Sequence, residues 1–358
     1  MDNLKNKNTA TTTEPDIKKA FDTRMIKKGM IYFLLITVGS LGFLFFYNNG
    51  KTATVSLSSL QPSYLGIAIL MSVLDMTLGG WRNHIFARLY QPGISQWVCF
   101  RANLANIFLG AITPSQSGGG PAQLYIWYRE GIKLSQAIAI SLINWFSTLI
   151  FFPLAALAAM YFIGDQYSET IFTVLLRSGF SIFGTLLVVI IIAFWKPMWI
   201  GHAARKLAGW IGNLNENWKT KLEVWGDKTY LAVQEYQVSC KETLVKYKWL
   251  FPLSFLLTIL LYFNKFCLAY LIVLGVGGVA DFWTVIAVQV VLQFVLYFAP
   301  SPGGSGIAEF SIAVLMAGIL TDELVPVFTL LHRVFLLFLP ALLGALVVVR
   351  ELRKHAEE

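Results

Sequence analysis

The sequence predicts an all-α polytopic membrane protein. About six spanning helices are joined by two helix–break–helix (re-entrant) elements, arranged as inverted-repeat halves with the N-terminus and C-terminus cytoplasmic. Three observations predict this. First, 56% of the residues are hydrophobic and 13% charged, against about 25% charged in an ordinary soluble domain, so lipid is the solvent for most of the chain. Second, apolar runs of spanning length occur at roughly 30–47, 60–79, 134–163, 171–195, 249–275 and 325–349. Third, two further apolar stretches, 101–128 and 282–320, are interrupted at membrane depth by glycine and proline.

In chain order, residues 1–28 are polar, mixed in charge and Thr-rich. They lack an early apolar core and a small-residue cleavage site, so they read as a disordered cytoplasmic tail and not as a signal peptide. The first membrane half covers 29–195, with its break at 113–123, from Thr113-Pro114-Ser115 to Pro121-Ala122-Gln123. Backbone freed by such a break has no partner in lipid; it is tolerated where protein buries it or where it lines a watery cavity. Residues 196–248 are basic and too polar to span. Within them Trp210, Leu214, Trp218, Leu222 and Trp225 recur at helical spacing, interleaved with Lys219, Lys221 and Lys228. That pattern suits a helix lying in the inner interface, the alternative being a soluble connector packed on the membrane domain. The second half covers 249–352, with its break at 300–309, from Pro300-Ser301-Pro302 to Ala308-Glu309, and 353–358 is a short cytoplasmic tail.

With the N-terminus inside, the cytoplasmic segments hold 24 of the 28 lysines and arginines, and the predicted outer loops hold only Lys51. This bias sets the orientation. It assigns the net charge of +8 to the anionic inner leaflet and not to a nucleic-acid partner. On this topology the first broken unit begins and ends inside and the second outside. Two halves of opposite orientation, each with one broken element, form an inverted repeat whose breaks point to a substrate site. The expected location is the cell (inner) membrane.

Ionisable groups at membrane depth are functional candidates by default. Lys265, Arg333 and Glu309 stand out, the alternative for the last two being a structural ion pair. Asp75, toward the inner end of the second span, is a further candidate, the alternative for it and for Arg82 being to snorkel to the interface. Asn106 and Asn103 precede the first break, Gln123 and Tyr125 follow it, and Tyr125 with Arg129 and Gln289 with Gln293 share helix faces. Such groups bind a headgroup or bond neighbouring helices. Gly118, Gly119, Gly120, Gly303 and Gly304, with Ser305, form turns whose N–H groups would cradle a phosphate, or tight crossings of helices. The three cysteines form no CxxC pair and the four histidines no i, i+4 pair, so no metal site, disulfide framework or cofactor is expected. No GxSxG elbow or P-loop appears.

At the breaks the chain resembles a known family. Asn106-Ile107-Phe108, Ile112-Thr113-Pro114 and Gly118 to Tyr125 look like the first hallmark of the lysylphosphatidylglycerol synthase transmembrane, or flippase-like, family. Pro300 to Glu309 matches its second, a PxPGGSGxAE phrase. Arg333 ahead of Pro340 and Gly344 is similar to the family's last span, and Trp81-Arg82 resembles its arginine/tryptophan pair in reversed order. The resemblance implies a domain that moves an anionic or aminoacylated phospholipid, or a lipid-linked headgroup, between leaflets. It also implies a transporter and not an enzyme, the family's soluble aminoacyl-transferase domain having no counterpart in these residues.

The expected function is therefore a lipid flippase-like carrier. Two alternatives are a non-transporting scaffold that presents lipid or polyprenyl-linked substrate to a separate synthase or glycosyltransferase, and a secondary transporter of small solutes. Small residues such as Gly39 and Gly42, or Ala155, Ala158 and Ala159, suit packing within one chain or in a homo-oligomer.

Overall fold

The computed structural model describes residues 23–47, 60–163, 181, 184–189, 191–192, 196–214, 216–246, 248–297 and 299–357. Most of the expected N-terminal tail and most of the predicted 171–195 span lie outside them. All regular elements among the described residues are helical: α1 (Thr23–Tyr47), α2 (Pro62–Tyr90), α3 (Gln96–Ile112), α4 (Gly119–Arg129), α5 (Leu134–Ile163), α6 (Pro197–Leu214), α7 (Glu216–Lys246), α8 (Leu250–Gly275), α9 (Phe282–Leu296), α10 (Ile307–Met316), α11 (Leu324–Arg333) and α12 (Leu339–Glu357). A π-helical turn, Val334–Phe338, joins α11 to α12. Among the described residues, five helices are long and apolar enough to cross a membrane: Arg24–Phe46, Pro62–Tyr90, Leu134–Ala159, Leu250–Gly275 and Leu324–Arg353.

The outward faces are apolar and the inward faces carry the polar groups, as lipid requires. On α2, Leu70 is 69% exposed while Ser72, Asp75, Arg82 and Asn83 are buried. α2 also runs on to Tyr90, beyond the predicted limit at 79. Arg82 and Asn83 extend it because their polar groups find partners inside the bundle.

The two halves share an order of elements. α2, α3, turn, α4 and α5 correspond to α8, α9, turn, α10 and α11–α12. The first helix of each broken unit starts on a side-chain cap, Ser95 accepting from Val98 N–H at 3.3 Å and Asp281 from Thr284 N–H at 2.9 Å. Contacts between halves pair off as well: α2 packs on α8, α3 on α12 and α9 on α5. Under that correspondence the first is its own counterpart and the other two are each other's.

The basic segment is not one helix. α6 ends at Leu214 and α7 begins at Glu216, splitting the predicted Trp210–Trp225 face, because a Gly212-Asn213 pair disfavours continuation. α6 and α7 pack together as a hairpin. Arg205 bonds Asp227 at 2.7 Å and covers the Tyr230 ring at 3.9 Å, while Trp199, Trp210 and Trp225 remain exposed.

Candidate functional site

The breaks are built alike. Each is a short 3₁₀ turn opened by proline, Pro114–Gln116 in the first half and Pro302–Gly304 in the second. At the same two positions after the proline the backbone is left-handed: Ser115 (φ 50°) and Gln116 (φ 56°) against Gly303 (φ 57°) and Gly304 (φ 68°). The turns also meet, Ser115 N–H donating to the Pro300 carbonyl at 3.2 Å. Glycine is required at 303, where a Cβ would also lie 2.8 Å from the Phe33 ring and 3.0 Å from the Ala111 carbonyl.

Three glycine N–H groups at these turns are engaged within the protein. Gly118 N–H donates to Thr113 Oγ1 at 2.8 Å, Gly304 N–H to the Ser301 carbonyl at 3.0 Å and Gly306 N–H to Glu309 Oε2 at 2.6 Å. Those three amides are therefore not open to the phosphate that the glycine clusters lead one to expect. The second turn instead faces a cation with its oxygens. Arg333 Nη2 donates to the Gly303 carbonyl at 3.1 Å and to Ser305 Oγ at 3.2 Å. Ser305 Oγ lies 2.8 Å from Thr37 Oγ1 on α1.

Among the described residues, two ion pairs involve the charges singled out from sequence. Arg333 Nε lies 3.0 Å from Glu309 Oε1, both side chains nearly or fully buried. Those two atoms make no hydrogen bond, so the contact is charge to charge, and the carboxylate is held by the Gly306 amide. This is the structural pairing that the sequence left open. Lys265 Nζ on α8 lies 2.6 Å from Asp75 Oδ2 on α2, so Asp75 turns into the bundle and does not snorkel. Beside them Asn264 donates to the Met71 carbonyl at 3.1 Å, and Ser72 to the Phe335 carbonyl in the π turn at 2.6 Å. His332 Nε2 sits 3.1 Å from Gln289 Oε1.

These groups border two cavities. One, of about 250 Å³, is walled by Asn106, Gln116, Lys265, Gln293, Tyr297, Gly303, Gly304, His332 and Arg333. The other, of about 830 Å³, is walled by Arg82, Asn83, Asn103, Asn106, Gln116, Gly120, Gln123, Asn144 and Tyr297 among others. Asn106, Gln116 and Tyr297 belong to both, so the spaces adjoin.

Of the residues singled out from sequence, Lys265, Arg333, Gly303, Gly304 and Asn106 face the smaller cavity, and Gly120, Gln123 and again Asn106 the larger. Asn106 Nδ2 bonds Gln123 Oε1 at 2.5 Å. Gly118 and Gly119 are packing positions, where a Cβ would approach Thr113 to 2.8 Å and Asn106 to 2.4 Å. Tyr125 is buried, its hydroxyl 3.4 Å from Arg129 Nη1. Glu309 and Ser305 stand behind Arg333. Sequence reasoning missed Arg82, Asn144, Gln116, Tyr262 and Tyr297 as cavity residues. The available signal was Asn144, an amide in the middle of an apolar run. No group of three or more His, Cys, Asp or Glu comes together among the described residues.

A UPF0104 membrane protein of Archaeoglobus fulgidus is 22% identical over 328 residues, 88% of this chain and 94% of the relative. No solved structure matches the chain. The lysylphosphatidylglycerol synthase TM region family matches residues 30–344, a stretch that contains both turns, both ion pairs and nearly all the walls of the two cavities. This chain is a multi-pass membrane protein and belongs to that family.

Proposed function

We propose that the protein is a lipid flippase-like carrier of the cell membrane. It moves the headgroup of an anionic or aminoacylated phospholipid, or a lipid-linked headgroup, between leaflets. One observation carries this reading: two like-built breaks bond turn to turn beside a polar cavity bordered by Lys265, Gln293, His332 and Arg333. A headgroup otherwise crosses about 30 Å of hydrocarbon, and amide, ammonium and guanidinium donors at depth replace the water it gives up. On this reading the paired halves are inverted repeats with both termini cytoplasmic, and alternating access is one half rocking against the other. The phospholipid in the family's name supports the cargo class. Transport is proposed, and not group transfer.

The test is a proteoliposome assay with fluorescent phospholipids and an external quencher. Wild type should render the inner-leaflet pool accessible. The paired replacement Lys265→Gln with Asp75→Asn, which removes both charges at nearly constant shape, should slow this by about tenfold or more, the value of a lost charge-assisted hydrogen bond. Wild type inert towards anionic, zwitterionic and aminoacylated headgroups would sink the carrier reading. A scaffold for a partner synthase would then lead, favoured by the fact that both ion pairs are complete within the protein.

A further inference from the structure

α2 also carries a buried cation, Arg82, which neither of those two ion pairs uses. Arg82 is 9% exposed. Its Nε donates to Asn144 Oδ1 at 2.9 Å, and its Nη2 to the Asn144 carbonyl and, at 3.4 Å, to Thr148 Oγ1. All of these acceptors are neutral oxygens on α5, and Nη1 has no partner among the described residues. The other buried formal charges there, on Asp75, Arg101, Glu309 and Arg333, all sit in ion pairs. Arg82 does not.

The surroundings hold that guanidinium in place and leave it uncompensated. Asn144 Nδ2 donates to Asn83 Oδ1 at 2.9 Å, and Ser254 Oγ donates to Asn144 Oδ1 at 3.2 Å while accepting from Ser147 Oγ at 2.9 Å. The network holds Nε and Nη2, and Arg82 lines the larger cavity, whose wall offers amides and hydroxyls and, among the described residues, no carboxylate. A planar cation with free donors at a polar, carboxylate-free wall matches a phosphate oxygen pair. A buried charge with only neutral ligands is stabilised once a counter-ion arrives.

We propose that Arg82 is an anion-binding position that takes a phosphate, carried by a lipid headgroup or free, and that it forms a station separate from the Arg333 cavity. It lies about 10 Å along α2 from Asp75, seven residues at a helical rise. Asn106, Gln116 and Tyr297 line both spaces. The lipid as source rests on the carrier reading; the binding itself does not.

The test is calorimetric titration of the purified full chain in non-ionic detergent with inorganic phosphate and with dihexanoyl phosphatidylglycerol, for wild type, Arg82→Gln and Asn144→Asp. Asn144→Asp gives up only the bond to Asn83 and places a carboxylate against Arg82, so it neutralises the site from within while keeping the guanidinium in place. Wild type should bind at least one probe, and both variants should bind it about tenfold more weakly or worse. If Arg82→Gln does not fold, Asn144→Asp decides. Lipid binding that inorganic phosphate does not displace identifies a headgroup site, and displacement identifies a bare phosphate site; both support the proposal. Wild type binding neither probe, or folded Asn144→Asp binding as wild type does, overturns it. Arg82-dependent binding in a protein that moves no lipid would remove the carrier reading and leave this one standing. Lipid movement with Arg82-independent binding would do the reverse.

Discussion

Glu309 is fully buried and its charge is answered by Arg333 and one backbone amide. Arg333→Ala therefore does more than remove a donor from the cavity wall: it strands a carboxylate. The expected cost is about 3–5 kcal/mol of stability, whereas Arg333→Met combined with Glu309→Leu should be near neutral, because a buried pair replaced by apolar groups leaves no uncompensated charge. Thermal unfolding in detergent checks both; equal losses in the single and double variants would refute the argument. Transport measured on the single variant alone confounds function with folding. Arg333, Glu309 and Lys265 were legible in sequence because a charge inside an apolar run is conspicuous. Their partners were less so, since Asp75 lies 190 positions from Lys265 and linear spacing carries no sign of that meeting. Arg82 was missed for a related reason: a basic residue at the inner end of a span looks like one that snorkels until the helix is seen to continue.

α3 is the element on which the others close. Helices in lipid gain little from burying apolar surface against one another, and close backbone approach through small residues takes its place. Three helices approach α3 at glycine. A Cβ at Gly29 of α1 would lie 2.3 Å from the Ile112 carbonyl, at Gly80 of α2 2.8 Å from Phe100 Cα, and at Gly344 of α12 2.2 Å from the Leu104 carbonyl. Backbone cannot yield as a side-chain end can, so Gly344→Ala should force α12 off α3 and destabilise by about 1–3 kcal/mol, the usual range for overpacking. An unchanged melting temperature in detergent would show that this contact is loose. Five of the predicted spans stand as helices because twenty-residue apolar runs are unambiguous. The α6–α7 hairpin was not legible: the tryptophan spacing continues through a Gly-Asn stop, and periodicity is blind to a break that leaves the count intact.

Across the whole molecule, the like-built turns and the paired-off contacts give the halves corresponding parts, and the Asp75–Lys265 bridge joins the helix that precedes each broken unit. The family resemblance read from the two hallmark phrases and the family match over 30–344 point the same way. The shared wall of the two cavities and the α5 network were hidden, being products of helix packing that no local motif encodes. The pairing of charges has an electrical consequence. Lys265 cancels Asp75, Arg333 cancels Glu309, and Arg82 is cancelled once it holds an anion. On the carrier reading the protein returns to its starting charge state over a full cycle, so a membrane voltage, worth about 2.3 kcal/mol per elementary charge per 100 mV, does net work only on what is carried. In vesicles held at an inside-negative potential by a potassium gradient, a net-neutral lipid should reach the same leaflet distribution with and without the voltage. A singly anionic one should be driven outward, so that the cargo and not the carrier sets the electrogenicity of the step.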